Sequence, residues 1–181
     1  PAVRRWALRL VDAEFLELDK QLLPAVLATA RDQDAGVRLQ AACALGDIDD
    51  VKCAAALGRL AVVDPDPFKT AAGQSSLTKR NITVAAASGL DELLQSSDKR
   101  RAVAPFLDAA AGYQSPEALA LVISAAVSQP AGVNAEGISE LFAGLARHRL
   151  SPGTLRELKN PALDKQLDGL ERAFQWARER V

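Results

Sequence analysis

Val37-Arg38-Leu39-Gln40-Ala41-Ala42-Cys43-Ala44-Leu45 restates Val3-Arg4-Arg5-Trp6-Ala7-Leu8-Arg9-Leu10-Val11 at a distance of 34 residues. The shared skeleton is Val-Arg, an alanine four positions after the valine (Ala7, Ala41), and apolar residues seven and eight after it (Leu10 and Val11, Ala44 and Leu45). Those offsets line one apolar stripe along a helix. A period in the thirties with helical patterning predicts stacked helical hairpins. The expected fold is therefore all-α: one right-handed α-α superhelix of about ten or eleven helices over residues 1–181.

Working outward, each copy of the stretch is followed by a partner helix. The first partner is expected from about Asp19 to Arg31, with Pro24 in its first turn, where a missing N–H is harmless. In the second repeat, Asp32 and Asp34 stand ready to cap a helix from Ala35 to Gly46. Asp50 then opens a helix to Val63 with a stripe of Cys53, Leu57, Leu60 and Ala61. A third copy begins after Asp64-Pro65-Asp66-Pro67, where Phe68-Lys69-Thr70-Ala71-Ala72 echoes Val37 to Ala41. Its partner is expected from Lys79 to Gln95, with Gly73 and Gly89 as weak points.

Beyond residue 97 the repeat is irregular, but helical signals continue. Helices are expected from Lys99 to Ala111, from Pro116 behind a Ser115 cap, from Asn134 to His148, briefly after Ser151-Pro152, and finally after Asn160-Pro161. The last carries Leu163, Leu167, Leu170, Phe174 and Ala177 on one face and many charges elsewhere, as a terminal cap of a stack should.

Composition fits this reading. Apolar residues are 49% of the chain and aromatics only 4%, so small side chains must do most of the packing. A net charge of −1 gives no general reason to bind a polyanion. No apolar run approaches the roughly 20 residues that span a bilayer. The first residue is Pro1 and methionine is absent, so the chain reads as a segment of a larger protein.

The charged positions recur with the repeat. Asp32 or Asp34 precedes Arg38, Asp64 or Asp66 precedes Lys69, and Arg4 begins the series. A ladder of ligand-binding charges is one interpretation. The other is that each Asp caps a helix and pairs with the basic residue of a neighbouring repeat. Equivalent positions are what stacking needs and what a unique ligand does not, so Val3, Arg4, Ala7, Asp34, Val37, Arg38, Ala41, Asp66, Phe68, Lys69 and Ala72 are assigned as structural repeat positions. No catalytic, cofactor or metal residue is assigned. Cys43 and Cys53 flank one turn, and either a disulfide or two small buried thiols would fit them. Cys43 lies about 100° off its stripe, which favours the thiols. His148 sits at a helix C-terminus with no signalled acid partner. Trp6, Phe68 and Phe106 are expected in packing between helices rather than in a ligand cage.

Hairpins with Asp-x-Asp or Asp-Pro before Val-Arg resemble HEAT repeats. Val3 to Ala7, Ala30-Arg31-Asp32-Gln33-Asp34, Val37 to Gln40 with Ala44-Leu45-Gly46, Asp66-Pro67-Phe68-Lys69 with Ser75-Ser76-Leu77, and Leu141-Phe142-Ala143-Gly144-Leu145-Ala146 carry the resemblance. They are similar to the HEAT segment of planctomycete-type multidomain proteins described as membrane-bound dehydrogenase-like or c-type haem-binding. What that resemblance implies is a HEAT/ARM-like solenoid from an extracytoplasmic protein, a non-catalytic scaffold that docks or spaces flanking redox domains. It implies no cofactor here, because the CxxCH motif of the haem neighbour is absent. Its partners would be another protein or the flanking domains. Two other functions remain open: nucleic-acid binding through the basic clusters Lys79-Arg80, Lys99-Arg100-Arg101 and Arg147-His148-Arg149, and a HEAT-like lyase acting on a pigment.

Overall fold

Asp34 sets the start of one helix: its Oδ1 accepts the Val37 N–H at 2.9 Å and so caps a helix running Ala35–Gly46. The computed structural model describes residues 1–11, 21–63, 72–94, 103–127 and 135–178. These residues are helical with no strand among them, which establishes the all-α class. The helices bounded among them are α1 (Ala2–Arg9), α2 (Leu22–Thr29), α3 (Ala35–Gly46), α4 (Val51–Val63), α5 (Ile82–Leu94), α6 (Val103–Gly112), α7 (Pro116–Val127), α8 (Ala135–Arg147), α9 (Pro152–Arg156) and α10 (Pro161–Arg178), and residues 72–75 are also helical.

Packing follows chain order. α2 meets α4, α4 meets α5, α5 meets α7 and α7 meets α10. α1 meets α3, and α6 meets α8. Helices next to each other in the chain, such as α3 with α4 and α6 with α7, also pack together. One continuous core results, with Val37, Leu45, Leu57, Ile82, Phe106, Leu119, Ile123, Leu141 and Leu163 sealed from solvent. Phe106 is thus the packing residue that its sequence predicts.

The tightest crossing is between α4 and α5. A Cβ on Gly58 would fall 1.9 Å from the Ala85 carbonyl oxygen, and one on Gly89 would fall 2.6 Å from the Gly58 carbonyl oxygen and 2.3 Å from Phe106 Cζ. Gly89 is therefore not a weak point of its helix. It lets two backbones touch, and the packing gained there offsets its poor helix propensity.

Local chemistry fixes the turns. Asp50 Oδ1 accepts the Lys52 and Cys53 N–H groups, and Asn160 Oδ1 accepts those of Ala162 and Leu163. Ser151 and Thr154 form a reciprocal capping box. The α6–α7 and α8–α9 connections share one device. Gln114 and Arg149 take left-handed φ values of 49° and 56°, while Ser115 N–H donates to the Ala110 carbonyl and Leu150 N–H to that of Leu145. Each closes a Schellman turn, and the next residue to cap follows at once.

Three expectations need correction. The α1 stripe is not buried: Val3, Ala7 and Leu10 are exposed, Val11 is half-buried, and Leu8 is the buried residue of the helix. Trp6 is likewise exposed and carries the Arg9 guanidinium 4.8 Å from its ring centroid. The helix has turned its larger apolar arc away from α3. The cysteines are both free, with Cys53 buried and Cys43 exposed. The off-stripe position of Cys43 therefore puts it in solvent, not merely out of disulfide geometry. The α5 helix also starts later than expected, at Ile82, because Asn81 holds the preceding turn through Thr78 N–H and the Ser76 carbonyl.

Candidate functional site

A groove of about 910 Å³ opens where α2 and α4 part. On α4 the lining residues are Val51, Lys52, Ala55, Ala56, Arg59 and Leu60, the successive turns of one helix face. Ala55 and Ala56 leave the space that larger side chains would fill. From α2 come Pro24, Leu27 and Ala28, and the following turn adds Ala30, Arg31, Asp32 and Gln33. Arg38 enters from α3 and Glu92 from α5.

The groove joins an apolar floor to a cationic rim. Arg38 Nη1 donates to the carbonyls of Asp32 and Gln33 at 2.8 and 3.0 Å, which pins the turn that forms one wall. Asp32 is already committed, with Arg4 Nε 2.7 Å from its Oδ2 and the Asp34 N–H on its Oδ1 at 2.9 Å. The backbone hydrogen bond, followed by the Arg4 guanidinium, holds the Asp32 carboxyl below the usual carboxylate range. Among the described residues no ion pair engages Arg31, Lys52 or Arg59. Glu92, at the far rim, is the other acid of the lining. An apolar segment with acidic flanks matches this combination: it would neutralise cations that have no ion pair among the described residues.

The repeat positions assigned from sequence fall into distinct places. Val37 and Ala41 are fully buried. The work expected of each aspartate is divided, Asp34 capping α3 and Asp32 reaching the preceding repeat through Arg4. Arg38 is both a turn clamp and a groove residue. Val3 and Ala7 are on the open face of α1. Ala72 is helical, and its carbonyl accepts the Ser75 and Ser76 hydroxyls. Asp66, Phe68 and Lys69 lie outside the described residues, as do Lys99, Arg100 and Arg101.

His148 has the acid partner its sequence neighbourhood lacks. Its Nε2 is 3.3 Å from Asp108 Oδ1, and Arg147 grips the same carboxylate through both oxygens at 3.0 and 3.1 Å. Asp108 comes from α6, so the trio ties α6 to α8 and takes Arg147 out of any free basic strip. Arg80 stands 3.9 Å from Asp49, also partly matched. Cys53 shows the opposite of an activated thiol, since burial, then the charge of Asp50, pushes it up to about 11. Among the described residues no group of three His, Cys, Asp or Glu side chains converges to hold a metal ion.

Sequence reasoning missed Arg31, Lys52 and Arg59 as one set, because they come from a turn and from two successive turns of α4. The spacing of Lys52, Ala55, Ala56 and Arg59 was the available signal: small residues between cations on one helix face. No protein-family model, curated protein or solved structure matches the chain.

Proposed function

We propose that this chain is a non-catalytic interaction domain, a HEAT-like right-handed stack of hairpins that holds a protein segment in the groove between α2 and α4. In a larger protein such a domain would dock or space its neighbours, in keeping with the redox-protein resemblance of its repeats. The order of helix contacts supports the stack, because substantial packing joins helices no more than three apart along the chain. The observation that carries the interaction reading is the groove itself, with its apolar floor and with Arg31, Lys52 and Arg59 free of ion pairs among the described residues. A protein segment uses both features, whereas a nucleic acid would use mainly the cations.

The test is peptide display. Twelve-residue random peptides are selected on the chain and counter-selected on Ala55→Trp, whose indole fills the groove. Selected peptides should interleave acidic and apolar residues, move NMR signals of α2 and α4, and bind about tenfold or more weakly to Ala55→Trp. Lys52→Glu with Arg59→Glu should weaken them similarly. Peptides that bind both proteins alike would defeat the groove reading. Displacement of selected peptides by single-stranded DNA, with a steep salt dependence, would replace it with the nucleic-acid alternative.

A further inference from the structure

We infer that the outer face of α1 is a docking surface for an amphipathic helix whose apolar stripe is edged by acidic residues. The inference concerns a different face from the groove and stands without it.

Three large apolar side chains of α1 lie open to solvent: Val3 at 82%, Trp6 at 64% and Leu10 at 73%. With Ala2 and Ala7 they cover an arc of about 140° of the helix circumference at 100° per residue. Leu8, the buried residue, projects about 170° from the middle of that arc. α1 is therefore amphipathic twice over, held to α3 by Leu8 and offering a broader apolar arc outward. The equivalent stripe on α3, made of Val37, Ala41, Ala44 and Leu45, is wholly buried under other helices. The same side-chain pattern in the same chain thus takes a helical cover when one is present. A contiguous apolar arc of this width on a single helix is a binding surface rather than scattered surface leucines.

Charge selects the occupant. Residues 1–11 contain three arginines and no acid. Arg4 is neutralised by Asp32 on the Leu8 side. Arg9 edges the open arc, and Arg5 stands one step behind it, beside Gly36 of α3 yet lining a cleft with Ala2, Trp6 and Arg9; among the described residues neither has a carboxylate partner. Arg9 stacks on Trp6, and its Nε donates to Gln40 Oε1 at 3.2 Å, which leaves its two Nη groups for a ligand. Between the two guanidiniums, Trp6 and Ala2 lies a cleft of about 230 Å³, room for a large side chain at the border of apolar and cationic surface. A second copy of this chain seated α1 on α1 would bring Arg5 and Arg9 against their own duplicates, so self-pairing is disfavoured. The length of α1, about 12 Å, matches two turns of one helix rather than the side of a globule.

The probe is a 16-residue synthetic helix with a Leu/Ala stripe and glutamates along one edge, compared with the same peptide carrying lysines instead. The readout is the Trp6 indole N–H signal, identified by its loss in Trp6→Phe. The glutamate peptide should shift that signal and bind at least about tenfold more tightly than the lysine peptide. Arg5→Glu with Arg9→Glu should invert the preference. If that double variant loses its helical circular dichroism, Val3→Glu serves instead: it places a negative charge inside the arc and should weaken the glutamate peptide about tenfold. Equal binding of the two peptides, or no shift with either, overturns the inference. So does movement of the Trp6 signal with protein concentration alone, which would make a second copy the occupant.

Discussion

Val3, Ala7 and Leu10 on α1 and Val37, Ala41 and Ala44 on α3 are the same three positions of one repeat, yet the first three face water and the second three are buried. Among the described residues, α3 is flanked by α1, α2 and α4, whereas the substantial packing of α1 is with α3. A repeated stripe thus specifies which side chains can be covered; the neighbours decide whether they are. Full burial of a leucine contributes about 1.5–3 kcal/mol, a gain Leu45 realises and Leu10 largely leaves unused. Affinity for a partner is one use to which such an unspent face can be put.

The sharpest way to break the comparison is a matched truncation. Leu45→Ala should cost about 3 kcal/mol, since it removes a leucine from a sealed core, while Leu10→Ala should stay within about 0.5 kcal/mol. Urea titrations followed by circular dichroism at 222 nm would measure both. Equal losses would mean that the α1 stripe is covered in solution after all.

Legibility in the sequence divides along the same line. The bounds of α3 and α4 follow from Asp34, Gly46 and Asp50, because caps act within a turn of the residue that makes them. The buried stripe of α3 follows from spacing, as does that of α10 at Leu163, Leu167 and Leu170; the burial of Phe174 and Ala177 lies outside what is described. The exposure of Trp6 does not follow from spacing, since it depends on which neighbours the fold brings to each side of α1. Nor does the Asp108–His148 contact, which spans 40 residues between α6 and α8. Gly58 and Gly89 illustrate a third kind of miss. Read locally they are poor helix formers; only their meeting across α4 and α5 shows them to be contact residues. The groove was illegible for the same reason as Asp108, its cations being gathered from a turn and a helix that only the fold brings face to face.

A smaller effect sharpens the comparison at the start of α3. Asp34→Ala removes the oxygen that accepts the Val37 N–H and should cost about 1 kcal/mol, with Asp34→Asn recovering most of it because the amide oxygen can accept the same bond. The loss should appear in global stability, since α3 lies between α1, α2 and α4. Weakening confined to the first turn of α3, visible as local amide exchange with an unchanged urea midpoint, would show that the cap trims the helix end without supporting the core.

The smallest effect tests how α1 is held. Apart from Leu8, α1 is tied to the next repeat by the Arg9–Gln40 hydrogen bond and by the ion pair of Arg4 with Asp32, whose arginine is about half in solvent. Asp32 titrates below its ordinary value because of the Asp34 N–H first and Arg4 second. A carboxyl whose pKa is lower folded than unfolded stabilises the fold above its unfolded value of about 3.9, and that contribution fades as pH falls through the lower folded value. Acidification should therefore release α1 before α3. In native-state hydrogen exchange, with rates corrected for intrinsic pH dependence, the α1 amides should lose protection first, while those of Ala41 to Leu45 hold. Asp32→Asn should bring α1 to that weakened condition at neutral pH and remove this carboxyl's contribution to the acid dependence. If α1 and α3 instead lose protection together, the two copies belong to one cooperative unit, and the difference between their stripes is one of exposure alone.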